Sequence, residues 1–301
     1  MWRRGYQVLD EGYDDVGARH GAYTAWRNAR IRRERGAYAH GVRTGTWTWW
    51  AADGEVSRRG AYVAGERDGT WTEWSDKVVR ALEHYRRGRA DGEQRVFDAR
   101  GDELGRDVLR RGTGVVRTFY PSGAVASETT WRAGVRDGPY RELTPSGAVR
   151  VSGAHSDGER VGTWRWRDSR GRVAREGAYV GGAPDGEWRR LEAGVVVERS
   201  AYQAGERSGP YLEAFADGSP AVEGAYAGDR RDGTWTTYQA PGEVATVAHY
   251  RGGLLEGPWE RWRDGRVVER GHHAGGRRVG TWVTLDGAGA VTAIQMYTAP
   301  R

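Results

Sequence analysis

The amino-acid sequence predicts an all-β chain, an elongated antiparallel β-meander ribbon of about twelve β-hairpin repeats of 22–24 residues. Three observations predict it. A glycine followed two residues later by an aromatic recurs every 22–24 residues. The segments between these anchors alternate with period two, and Asp-Gly or similar turn dipeptides separate them. No stretch shows helical periodicity with caps.

Composition sets the terms. Among 301 residues, Trp and Tyr number 15 each, Phe only 3, and Leu and Ile are scarce. So thin an aliphatic content ordinarily means disorder. Here the aromatics supply the largest burial per side chain, and a net charge of +6 is too small to expand the chain. A folded protein without a thick aliphatic interior follows.

Taken in order, residues 1–20 read as an N-terminal cap and 21–279 as the repeat array. The anchors are Gly21, Gly45, Gly69, Gly138, Gly162, Gly186, Gly209, Gly233, Gly257 and Gly280, with Gly92 and Gly114 as degenerate members. The clearest unit runs from Gly45 to Asp68. Its first strand is β-branched and aromatic, which suits a pleated, half-buried surface. Asp53-Gly54 then reverses the chain, because glycine accepts positive φ and Asp tolerates it. In the second strand, Val56, Arg58, Gly60 and Tyr62 share one face; Ser57, Arg59 and Ala61 share the other.

Two columns of rings run through the array. Two residues after the anchors stand Trp47, Trp71, Tyr140, Trp164, Trp188, Tyr211, Trp235, Trp259 and Trp282; seven before the next anchor stand Tyr38, Tyr62, Tyr85, Trp131, Tyr179, Tyr202, Tyr226 and Tyr250. The hairpin register places Trp47 across from Gly60, where an indole can cover bare backbone. Trp164 and Trp235 are expected to be buried. A further glycine, such as Gly41, Gly65 or Gly88, marks the turn between units.

The unit at 92–113 is irregular. It carries Gln94 and Asp107 where rings are expected and Arg110 at the turn-glycine column. Lost rings and a shortened linker predict a joint there, presenting Arg106, Arg110 and Arg111 as a candidate partner-docking segment. Residues 280–301 read as a final hairpin and C-terminal cap, with Val291, Ile294, Met296 and Tyr297 clustered.

The run Tyr62-x-x-Gly65-x-x-x-Gly69-x-Trp71, preceded by Asp53-Gly54, resembles the MORN repeat, and the bacterial variant of YwqK-type antitoxin proteins in particular. The likeness spans about residues 12–297. It implies a β-hairpin array used as an interaction surface, in roles such as antitoxin or immunity partner, scaffold or membrane-surface binder.

Chemistry is sparse. Zero Cys excludes disulfides and thiolate chemistry. No signal-peptide pattern or membrane span is read, so a cytoplasmic location is expected. The seven histidines show no metal-ligand spacing; His155 and His273 stand in a ring column, and His272-His273 on a strand would diverge. Most Asp precede turn glycines. No catalytic residue, metal site or cofactor is expected, and the chain reads as a non-enzyme. Of the 47 basic residues all but Lys77 are Arg, clustered at Arg27–Arg35, Arg86–Arg89, Arg230-Arg231 and Arg277-Arg278. The expected function is protein interaction, with a toxin as the specific partner. The alternatives are a scaffold on an anionic lipid surface and a carbohydrate-binding aromatic repeat; no nucleic acid is expected.

Overall fold

The computed structural model describes residues 9–298, together with the backbone of the short strands Trp2–Arg3 and Tyr6–Gln7. The expected cap over 1–20 lies partly outside the described residues. Among those described there is no helix: the protein is all-β, and within each sheet the strands pair antiparallel in chain order. Nine strands, from Leu9–Tyr13 to Glu103–Leu109, form one sheet in chain order, and sixteen, from Gly114–Phe119 to Val291–Tyr297, form a second. By compactness the chain divides into two units. One runs to Val149 and includes His155–Gly158; the other holds Arg150–Ala154 and resumes at Glu159.

Within each unit the same hairpin recurs. In the strand pair Val42–Trp50 and Val56–Val63, Trp47 is in register with Gly60, as the turn position predicts. The indole, however, lies on its other side, over Gly36 of the preceding strand. A Cβ there would stand 2.2 Å from the ring. The Trp47 Nε1–H donates to the Ala37 carbonyl at 3.2 Å. Trp71, Trp164, Trp188, Trp235 and Trp282 repeat the arrangement on Gly60, Gly153, Gly177, Gly224 and Gly271, each donating to the carbonyl one residue further on. The recurrent strand glycine is therefore an indole seat. Trp47, Trp71, Trp164 and Trp235 are less than 2% exposed. Trp259 follows Ala248 by the same interval; a methyl occupies the seat, and Trp259 stays half-buried, tilted on Trp282.

Arginine completes the layer. Four residues before the ring, Arg43, Arg67, Arg160, Arg231 and Arg278 hold their guanidinium carbons 3.9–4.5 Å from the indole centroids of Trp47, Trp71, Trp164, Trp235 and Trp282. Each arginine stem covers apolar surface while its head stays near water. A single sheet thus buries its aromatics under cations and edge-on tyrosines rather than under a second layer.

The turn glycines link successive units. Gly65 has φ of 83° after Ala64 at 50°, a double left-handed turn, and its N–H donates to the Arg43 carbonyl of the unit before. Gly41, Gly88, Gly134 and Gly253 repeat the bond.

The last strand, Val291–Tyr297, pairs with Arg277–Leu285, and Tyr297 packs edge-on to Trp282. Val291, Ile294 and Met296 are instead exposed at 55%, 63% and 77%. Period two divides them: Ile294 and Met296 share a face that Val291 does not. The aliphatic cluster expected here does not assemble.

Candidate partner-docking site at the sheet break

The irregular unit is where the two sheets part. Glu103–Leu109 is the last strand of one and Gly114–Phe119 the first of the other; between them only Arg110 and Thr113 form a β-bridge. All the residues concerned belong to the first unit. The row of turn bonds nonetheless continues. Gly112 donates its N–H to the Ala90 carbonyl, and Gly134 donates to the Gly112 carbonyl. The turn glycine of this unit is thus Gly112, after Arg111 at φ 52°, and not the position of Arg110. Gly112 follows Gly92 by the 20 residues that separate Gly45 from Gly65; two residues are missing between this turn and Gly114, so the column counted back from the next anchor falls on Arg110. A Cβ on Gly112 would meet the Gly134 nitrogen at 2.5 Å, so this crossing admits only glycine.

Missing rings leave a space. Gln94 stands where a Trp is due, and its Nε2–H donates to the His84 carbonyl at 2.9 Å. That carbonyl is ten residues back, the same interval an indole would span. Gln94 keeps the hydrogen bond but lacks the ring. Val116, two residues after the degenerate anchor Gly114, also lacks one. The outcome is a cavity of about 460 Å³ lined by Ala81, Tyr85, Gln94, Leu109, Val116 and Trp131, among others. That size accommodates a large side chain or a small molecule.

Polar groups are fixed around it. Asp107, at the tyrosine column, is buried and accepts from the Arg117 backbone N–H and from its Nη1, both at 2.7 Å. Arg117 also reaches Glu128 at 3.3 Å. This bridge and the Phe119 ring seated on Gly105 tie the edge strands of the two sheets where ladder bonds are absent. Tyr85 donates to Glu83 at 3.0 Å, and burial raises its hydroxyl pKa above the usual tyrosine value. The indole Nε1–H of Trp131, a cavity wall, is buried without an acceptor. A buried donor left unpaired costs about 1–3 kcal/mol, and an acceptor brought by a ligand would recover it.

Outside the mouth lies a basic rim. A groove of about 570 Å³ is lined by Glu66, Arg86, Arg87, Arg89, Asp91 and Arg111. A second, lined in part by His84, Arg86, Arg87, Val108 and Arg110, adjoins it. Among the described residues, Arg86, Arg87, Arg89, Arg110 and Arg111 enter no ion pair. The nearby carboxylates are engaged elsewhere: Asp68 accepts the Arg87 backbone N–H and Asp91 that of Arg111.

The three arginines expected to dock a partner therefore separate. Arg111 lines the groove that shares Arg89 with the cavity, whereas Arg110 alternates with Val108 onto the strand face opposite Asp107 and Leu109. Arg106 sits on the opposite face of its strand from Asp107 and Leu109, and pairs with Glu103 at 3.1 Å and Glu93 at 3.9 Å. Arg86, Arg87 and Arg89 were visible as a basic cluster, but strand register is what brings them beside Arg111. The aromatic column, from Trp47 to Trp282, is packing and not an open surface.

No protein-family model matches the chain, and no curated protein matches it. Among solved structures, the chain is similar to one described as "Crystal Structure of TcdB2-TccC3-TEV", at 12% identity and a TM-score of 0.17, over 96% of this chain and 18% of that one. "Crystal Structure of TcdB2-TccC3-Cdc42" gives 11%, 0.15, 94% and 22%. "Structure of Photorhabdus luminescens Tc holotoxin pore, Mutation TccC3-D651A" gives 13%, 0.14, 94% and 19%. The chain spans about a fifth of the length of these proteins, and at such similarity nothing transfers from them. Among the described residues, no helix is long and apolar enough to cross a membrane.

Proposed function

We propose that this protein is a non-enzymatic, cytoplasmic interaction protein that docks a partner protein at the break between its sheets. The partner segment presents one aromatic or large aliphatic anchor flanked by Asp or Glu. The observation that carries this reading is a side-chain-sized cavity that shares Arg89 with an adjoining groove lined by Arg86, Arg87 and Arg111, none of them in an ion pair among the described residues. The anchor fills the space of the missing indole, and the acidic flanks meet Arg86, Arg87, Arg89 and Arg111. Interfaces draw their strength from such a central anchor, and rim charges set association rate and selectivity. A toxin bearing an acidic, aromatic-anchored segment would make the protein an antitoxin or immunity partner, the role that the resemblance of its repeat to YwqK-type sequences implies.

A displayed library of random twelve-residue peptides, selected on the full chain, tests the reading. Enrichment of anchors flanked by acidic residues, with binding that weakens as salt rises, is the expected result. Failure to enrich, or enrichment of basic peptides, would reject it. An anionic lipid surface would use the guanidinium rim alone. Vesicle binding insensitive to filling the cavity is the signature of that alternative.

A further inference from the structure

Three metal-binding side chains meet at one edge of the first sheet, far along it from the docking cavity. Asp14 lies in the turn after Leu9–Tyr13, His20 is the second residue of the strand Arg19–Trp26, and His40 lies in the turn after Arg32–Ala39. One ligand atom from each falls within 4.8 Å of the others. In the sequence these residues are 6 and 20 positions apart and match no metal motif. The hairpin register, which pairs Gly21 with Tyr38, brings the two histidines side by side.

The carboxylate is aimed. Asp14 Oδ1 accepts the backbone N–H groups of Val16 at 3.2 Å and Ala18 at 2.8 Å, which leaves Oδ2 turned toward His40 Nδ1, 2.8 Å away. His40 is held at φ 48°, beside Gly41 in the double left-handed turn, and that conformation directs its side chain back over His20. The two imidazoles meet edge to face at 4.7 Å between centroids. His20 Nδ1 receives only a long contact, 3.4 Å, from the His40 N–H. An ion pair accounts for Asp14 and His40 alone; it does not account for a second imidazole in the same cluster.

We propose that Asp14, His20 and His40 bind one divalent transition-metal ion of the Zn²⁺ class. Two imidazoles and one carboxylate oxygen are a borderline-soft N₂O set that suits zinc and its late first-row neighbours over Mg²⁺ or Ca²⁺. Zinc–nitrogen bonds of about 2.0–2.1 Å place tetrahedral donors roughly 3.3 Å apart, so rotation of the exposed His20 and His40 side chains closes the site. The remaining position faces solvent, which gives the ion an entry path and an open site. When bound, the ion joins the turn at 14–18 to the turn at 40–41.

The test uses the tag-free full chain, stripped with chelator and titrated with Zn²⁺ in a calorimeter. One ion per chain is expected, with affinity falling at least tenfold in Asp14→Asn, His20→Ala and His40→Ala and unchanged in His84→Ala. Co²⁺ supplies an optical readout: His40→Cys should restore binding and add a thiolate charge-transfer band. Circular dichroism confirms that each variant is folded. Absence of binding by the parent chain, equal affinity in the three variants, or no new band in His40→Cys would each overturn the site.

Discussion

The indole of Trp164 is seated on the backbone of Gly153, so closely that a Cβ on that glycine would stand 2.2 Å from the ring. The same contact, with an indole N–H donated ten residues back, recurs in six hairpins and replaces the aliphatic core this sequence lacks. Each aromatic side chain removes on the order of 150–250 Å² from water, which is why one row of rings suffices.

Gly153→Ala should therefore push Trp164 off its seat and cost about 1–3 kcal/mol, whereas Trp164→Ala should cost about 3–5 kcal/mol. Neighbouring hairpins should fray before distant ones, because each unit contacts only its neighbours. Urea unfolding with amide exchange across 150–190 checks both. Exchange that rises uniformly along the chain would contradict the local reading.

Arg160 tests the cation layer. Its guanidinium carbon is 4.4 Å from the Trp164 centroid, and its Nη1 donates to the Tyr179 hydroxyl at 3.2 Å. Arg160→Gln should lower stability by about 0.5–2 kcal/mol, and Arg160→Lys by less. Denaturation at low and at 1 M salt measures it; the loss should persist at high salt, since the contact is partly desolvated.

His273 makes the second unit acid-sensitive. Burial, aided by nearby Arg278, lowers its pKa below the ordinary histidine value of 6.5. The folded chain then binds fewer protons than the unfolded chain. Its stability is complete above about pH 6.5 and declines as pH falls toward the depressed value. His273→Tyr, which restores the column's usual residue, should flatten that decline between pH 7 and 5. Thermal melts of both proteins across this range decide it, and parallel pH profiles would contradict the assignment.

Much of this architecture could be read from the residues. Period-two strands and Asp-Gly turns specify hairpins, and the 22–24-residue ladder specifies their repetition. The lost rings at positions 94 and 107 marked the irregular unit. The finer contacts could not be read, because they join residues across strands. The turn position sets Trp47 opposite Gly60, and the register agrees, yet its ring leans to Gly36 on the other side, a choice made by side-chain direction and not by spacing. The arginines four residues before each Trp looked like general basicity until the sheet set them over the rings. Counting back from the next anchor points to Arg110 rather than Gly112, because two residues are missing between this turn and Gly114. Asp14, His20 and His40 share no motif; only register joins them.

Gln94→Trp should fill the cavity without restoring the regular seat, because Glu83 stands where the other indoles meet glycine. The new indole would lie in the cavity, its N–H able to donate to the His84 carbonyl in place of the Gln94 amide. A gain of about 0.5–2 kcal/mol in stability is expected, as for other cavity-filling changes. A lower midpoint in urea would show that the space is not shaped for an indole.

The docking account rests on that same substitution. The most direct measurement is the affinity of one selected anchor-bearing acidic peptide for the parent chain and for Gln94→Trp, by fluorescence anisotropy in the same buffer. The account predicts binding at least tenfold weaker in Gln94→Trp, with the variant fully folded and the arginine rim intact. Equal affinity for the two proteins would show that the cavity takes no part in recognition and would contradict the account.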